Sequence, residues 1–275
     1  MVYSERVKFK VGKNSKDDFE KIELEGLVLS SNVSNGIIFF SPGLCSHFDD
    51  YNNLLYPLAE EFDVVTFNHR GHGASEGRFC SLRIADDLDY LVSDGAFVLS
   101  HSAGSIGALD VKSDVKAVFV INPYLFPEIL SKKQRFLLYL AKGLTCAFVQ
   151  KPVQALLSVK NFNEKLGFHN KRFIDDYAAL LDVPDFFSFE RKVGFFVSDN
   201  DKVIGTLNNE KHYNKVKERL LLMYEDAEDY SHLVKGLNHC LNKKKRDSVP
   251  FLKTEPGKNS DKIIETIVNF YKSVL

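Results

Sequence analysis

Four short stretches of this 275-residue chain set reactive side chains beside turn-forming residues. In the first, Ser100-His101-Ser102-Ala103-Gly104 separates the apolar run Ala96–Leu99 from the small-residue run Ser105–Leu109. That order reads as strand, tight turn and helix with Ser102 at the apex, the geometry of a nucleophile elbow. Such a turn strains its central residue. Strand and helix can approach only if the residues two before and two after it are small, and here these are Ser100 and Gly104. A serine presented this way can attack an acyl carbonyl if a base reaches it.

The second stretch, Ser41-Pro42-Gly43-Leu44-Cys45-Ser46-His47, follows the apolar run Gly36–Phe40. Acyl transfer needs donors aimed at the oxyanion of a tetrahedral intermediate. The Leu44 N–H, turned inward at Gly43, and the Ala103 N–H are the candidates. Read alone, the stretch is also an ordinary Pro-Gly turn. The third carries Asp199 and Asp201 just after the apolar run Val193–Val197. Either carboxylate could orient a histidine and stabilise its imidazolium, and either could serve only the turn. The fourth ends in His239, beyond a predicted short strand Tyr230–Lys235 and Gly236. A loop position leaves His239 free to come within hydrogen-bond reach of Ser102, whereas His232 lies inside the predicted strand. His47, His69, His72, His169 and His212 read as structural or surface residues, and the elbow should turn the His101 side chain elsewhere.

These groups need a sheet whose strand ends converge. Gly36–Phe40, Val64–Phe67, Ala96–Leu99, Val115–Ile121 and Val193–Val197 are short continuous apolar runs, the pattern of strands buried on both faces. Helical patterns over Tyr51–Glu61, Leu82–Val92 and Ser102–Leu109 fall between them, which predicts an α/β fold with a mostly parallel sheet. Arg6–Val11 and Ile22–Ser30 alternate as an N-terminal antiparallel hairpin. The last helix takes Ser260 as its N-cap and aligns Ile263, Ile264, Ile267, Val268, Tyr271 and Val274 on one face. The stretch 127–187 breaks the alternation: it is helical and rich in apolar residues such as Phe136 and Tyr139. It reads as a cap inserted into a core formed by 1–126 and 188–275, over the sheet edge where ligands collect.

Composition narrows the partners. Net charge is −1, with 44% hydrophobic and 27% charged residues, which argues against a nucleic-acid partner. Cys45, Cys80, Cys146 and Cys240 have no paired close spacing, which argues against a zinc site or disulfide framework and fits a reducing cytoplasm. Met1–Lys10 lacks the apolar region of a signal peptide, and no apolar run is long enough for an integral membrane segment.

Taken together, the chain resembles the α/β-hydrolase superfamily, and within it the monoacylglycerol lipase, lysophospholipase and serine aminopeptidase branch. Phe40–Tyr51 is similar to that branch's oxyanion loop, and Asn68-His69-Arg70-Gly71-His72-Gly73-Ala74-Ser75-Glu76-Gly77 to its Gly-His-Gly-x-Ser-Glu-Gly loop. Ser198-x-x-Asp201 stands where the branch has Gly-x-x-Asp, which favours Asp201 over Asp199. The order Ser102, Asp201, His239 is that of the superfamily. Departures are Pro42, Ser100, Ser105 and Ser198 at positions where the branch has other residues, and a short Leu82–Gly95. The resemblance implies a cytoplasmic serine hydrolase, monomer or homodimer, that cleaves a carboxylic ester of a small-molecule acyl substrate without metal or cofactor. A thioesterase, acyltransferase or peptidase with the same triad, or a non-catalytic binding protein, are the alternatives.

Overall fold

The computed structural model describes residues 1–12, 21–125, 136, 139, 191–198, 209–221, 230–234 and 259–275. Eight strands form one sheet: β1 (Val2–Val11), β2 (Ile22–Ser31), β3 (Ile37–Ser41), β4 (Asp63–Phe67), β5 (Phe97–His101), β6 (Ala117–Ile121), β7 (Lys192–Ser198) and β8 (Ser231–Val234). Their order is β1-β2-β4-β3-β5-β6-β7-β8. The predicted hairpin is present, longer than its alternating core, and pairs Val11 with Ile22. β2 joins β4 antiparallel, and from β4 to β8 every pairing is parallel. The carboxyl ends of β3, β5, β6, β7 and β8 therefore lie along one edge. This is the mostly parallel sheet expected from the apolar runs.

The runs are continuously apolar because both faces are covered. Ile38, Phe40, Phe97, Leu99, Phe119 and Ile121 pack on one side with Leu54, Leu55 and Leu58 of α1 (Asn52–Leu58) and Ile263, Ile267 and Tyr271 of α5 (Asn259–Lys272). Their strand neighbours Phe39, Val98, Val118 and Val120 pack on the other side with Leu88 of α2 (Ser81–Leu91), Ala108 and Leu109 of α3 (Gly104–Asp110) and Val216 and Leu220 of α4 (Asn209–Leu221). Alternate residues of each strand thus serve opposite layers. The predicted helix Tyr51–Glu61 is realised as the shorter α1, and a 3-10 turn, Phe48–Tyr51, leads into it. Of the expected cap, Phe136 and Tyr139 are described; both are helical and exposed, at 65% and 61%. The remainder of 127–187 lies outside the described residues.

Candidate active site

Ser102 occupies the turn between β5 and α3 with φ of +51°, in the left-handed region that side-chain-bearing residues rarely adopt. Three backbone hydrogen bonds hold it there. Its N–H donates to Ile121 O at 3.0 Å, and its carbonyl accepts from Ser105 N and Tyr124 N, each at 3.1 Å. Gly104 is required because a Cβ there would run into the carbonyl oxygens of Ser41 and Pro42. The two serines that replace small glycines answer each other: buried Ser100 Oγ donates to Ser105 Oγ at 3.3 Å. Ser198 is likewise satisfied, its hydroxyl receiving Asn122 Nδ2 at 3.0 Å and its N–H donating to Asn122 Oδ1 at 2.7 Å.

The loop after β3 packs directly on this elbow; a Cβ at Gly43 would stand 3.3 Å from Ser102 Cβ. Its backbone amides are nearly all committed. Gly43 N–H donates to the Tyr51 hydroxyl at 2.9 Å, Cys45 N–H to His72 Nε2 at 2.9 Å, Ser46 N–H to Gly43 O at 3.3 Å and Phe48 N–H to Asn68 Oδ1 at 2.9 Å. His47 N–H is held by Asp50. The Leu44 N–H has no partner among the described residues, and neither does the Ala103 N–H or the Ser102 hydroxyl. The two amides expected from the sequence to hold an oxyanion are thus the ones left over.

The Gly71-His72-Gly73 loop supports this arrangement from below. His72 accepts from Cys45 at Nε2, so its proton sits on Nδ1, 3.1 Å from Arg70 O. Buried His69 donates from Nε2 to Pro42 O at 2.8 Å. Glu25 gathers the loop. Burial pushes its carboxyl up, but hydrogen bonds from Ala74 N, Asn68 Nδ2 and His47 outweigh that and hold it below the usual carboxylate range. His69 and His72 are buried and hydrogen-bonded within the loops. The motifs contain Tyr51 and Asn68 but do not show what they bond, and Asn122 lies in none of them, because each reaches a residue distant in the chain.

Burial, and then the neighbouring His72, push His69 down to about 3. An unfolded histidine takes up its proton near 6.5, so below that pH the unfolded chain binds the extra proton. Stability should therefore fall with acidification, by up to about 1.4 kcal/mol per pH unit once the pH is well below the unfolded value. Half-buried His232, lowered by burial and by Lys262, adds to the same slope. Urea unfolding of His69→Gln between pH 7 and about 5 should show a flatter pH dependence than the wild type. Equal slopes would refute the buried-neutral assignment.

Asp199, Asp201 and His239 lie outside the described residues. β7 ends at Ser198, and β8 ends at Val234, on the same edge as Ser102. His232 is in β8 as expected, paired with Phe196 and with its ring 5.4 Å from the Phe196 ring. A separate surface cavity of about 500 Å³ is lined by Arg70, Asp86, Asp87, Asp89, Tyr90 and Lys112 among others. Its carboxylates are engaged: Asp87 by Arg70, Asp86 by Arg83, and Asp89 by the amides of Lys112 and Ser113. Among the described residues no cluster is arranged to hold a metal ion, and no helix is long and apolar enough to cross a membrane.

Sheet order, hairpin and elbow together define an α/β-hydrolase. A family model described as serine aminopeptidase, S33, matches residues 32–183, more than half of the chain, and the chain belongs to that family of hydrolases. No curated protein matches it. Among solved structures it is similar to an epoxide hydrolase of Vigna radiata, with 13% identity, 98% of each chain covered and a TM-score of 0.62. It is similar to an esterase of Exiguobacterium antarcticum, with 14% identity, 96% of this chain and 100% of that one covered, and a TM-score of 0.62. The enol-lactonase of Burkholderia xenovorans gives 15% identity, 91% and 97% coverage and a TM-score of 0.56. At these identities the likeness is one of fold.

Proposed function

We propose that the chain is a serine hydrolase that cleaves a carboxylic ester through Ser102, Asp201 and His239. The observation that carries this reading is the strained Ser102, whose hydroxyl, like the Leu44 and Ala103 amides beside it, has no partner among the described residues, while the other amides of the loop that holds Leu44 are occupied. Ser102 Oγ attacks the acyl carbonyl while His239 takes its proton. Asp201 orients His239 and stabilises the imidazolium, and the two amides receive the oxyanion. The intermediate collapses as His239 protonates the leaving alcohol. Water, deprotonated by His239, then cleaves the acyl-enzyme and frees Ser102.

The test is covalent labelling by a fluorophosphonate, followed by a series of p-nitrophenyl esters from acetate to laurate. Labelling of the wild type at Ser102 and turnover of at least one ester are expected; no labelling would defeat the reading. The family description favours one second reading, cleavage of an amino-terminal peptide bond by the same residues. Turnover of aminoacyl-p-nitroanilides in preference to every ester would establish it instead.

A further inference from the structure

We propose that Tyr51 is a positioning residue for acyl transfer: its hydroxyl, linked to His101, holds Gly43 so that the adjacent Leu44 N–H is the amide presented to the oxyanion. The inference rests on the proposed role of Leu44. Gly43 N–H can only donate, so the phenol oxygen accepts at 2.9 Å. The same oxygen is hydrogen-bonded to His101 Nδ1, 2.8 Å away. The hydroxyl thus joins the Gly43 amide to the His101 ring.

The clamp has little slack. The Tyr51 ring is 1% exposed and edge-packed on Phe40 at 4.7 Å and on His101 at 5.6 Å. His101 precedes Ser102 in the chain, so Tyr51 ties the loop to the residue next to the nucleophile. A Cβ at Gly43 would lie 3.0 Å from His101 Nδ1 and 3.2 Å from the Tyr51 hydroxyl, so the loop cannot slide along the elbow. The hydroxyl also selects the donor. With Gly43 N–H taken by Tyr51 and Cys45 N–H by His72, Leu44 is the amide left between them. Without the hydroxyl, Gly43 N–H becomes a competing donor and the loop loses its link to the elbow.

Tyr51→Phe keeps the ring and removes the hydroxyl that makes this link. An oxyanion donor acts in the transition state, so the loss should fall on kcat. With p-nitrophenyl butyrate, kcat should drop about tenfold while KM stays within about twofold, at a circular-dichroism spectrum like that of the wild type. His101→Leu, which leaves the Gly43–Tyr51 bond in place, should lose about threefold in kcat and carries the test if Tyr51→Phe does not fold. A wild type that fluorophosphonate labels and that turns over the ester, paired with variants of unchanged kcat, would overturn the role of Tyr51 alone. A loss expressed in KM would do the same. A wild type without labelling at Ser102 would overturn the serine-hydrolase reading and this inference with it.

Discussion

Ser102→Ala should abolish fluorophosphonate labelling and lower ester turnover by at least about a thousandfold, with the fold retained. Alanine adds nothing to the elbow that serine does not already bear, since the left-handed backbone at φ +51° is fixed by the bonds to Ile121, Ser105 and Tyr124. The same loss should follow from His239→Ala, because a nucleophile without its base keeps only the contribution of oxyanion donors and binding. His232→Ala is the informative contrast. His232 sits in β8, in register with Phe196, and its ring packs on the Phe196 ring. Swinging it to the end of β5 would break the ladder that holds the sheet edge. His232→Ala should therefore cost about 1 kcal/mol of stability through lost packing and leave kcat within about twofold. Paired ester kinetics and urea unfolding of the two variants decide the base; activity lost in His232→Ala and kept in His239→Ala would reverse the assignment.

The parts of this protein that were legible in its sequence are those that depend on near neighbours. Strands such as Phe97–His101 announce themselves because both faces of the sheet are covered, which removes polar residues from the run. The elbow is legible because only small residues permit the approach of β5 and α3. His232 is correctly held in a strand by its apolar surroundings. What was not legible depends on contacts between remote segments. Tyr51 ends the oxyanion-loop motif, but its type among 11 tyrosines and 23 phenylalanines does not show that its hydroxyl meets Gly43 and His101. The serines at 100, 105 and 198 read as departures from a glycine pattern. Their hydroxyls are tolerated because Ser100 and Ser105 face each other and Asn122 reaches Ser198 across the ends of β6 and β7. The predicted helix Tyr51–Glu61 overruns α1 mainly at its C-terminal end, where Ala59 caps the helix and the amides of Glu60 and Glu61 turn back to the carbonyls of Pro57 and Leu58 instead of continuing it.

Gly104→Ala should be among the most damaging single-methyl changes in the chain, in both stability and activity. The added Cβ meets the Ser41 and Pro42 carbonyl oxygens, which are backbone and cannot rotate aside. Relief requires either that α3 lift from the end of β3 or that Ser41–Pro42 move outward. The first movement tilts Ser102, and the second carries Gly43 and Leu44 away from it, so either one separates the nucleophile from its oxyanion loop. Overpacking of this kind costs about 3 kcal/mol, and the displaced loop should reduce kcat by about a hundredfold. Gly95→Ala separates this steric effect from backbone strain. Gly95 has φ of +75°, yet its added Cβ would have no neighbour nearer than Lys116 Cε at 3.9 Å. That variant should lose about 1 kcal/mol to the unfavourable backbone and keep full activity. Chemical denaturation and fluorophosphonate labelling rates of the two variants provide the comparison. If Gly104→Ala matched Gly95→Ala in both, the close approach of α3 to the oxyanion loop would not be what builds the site.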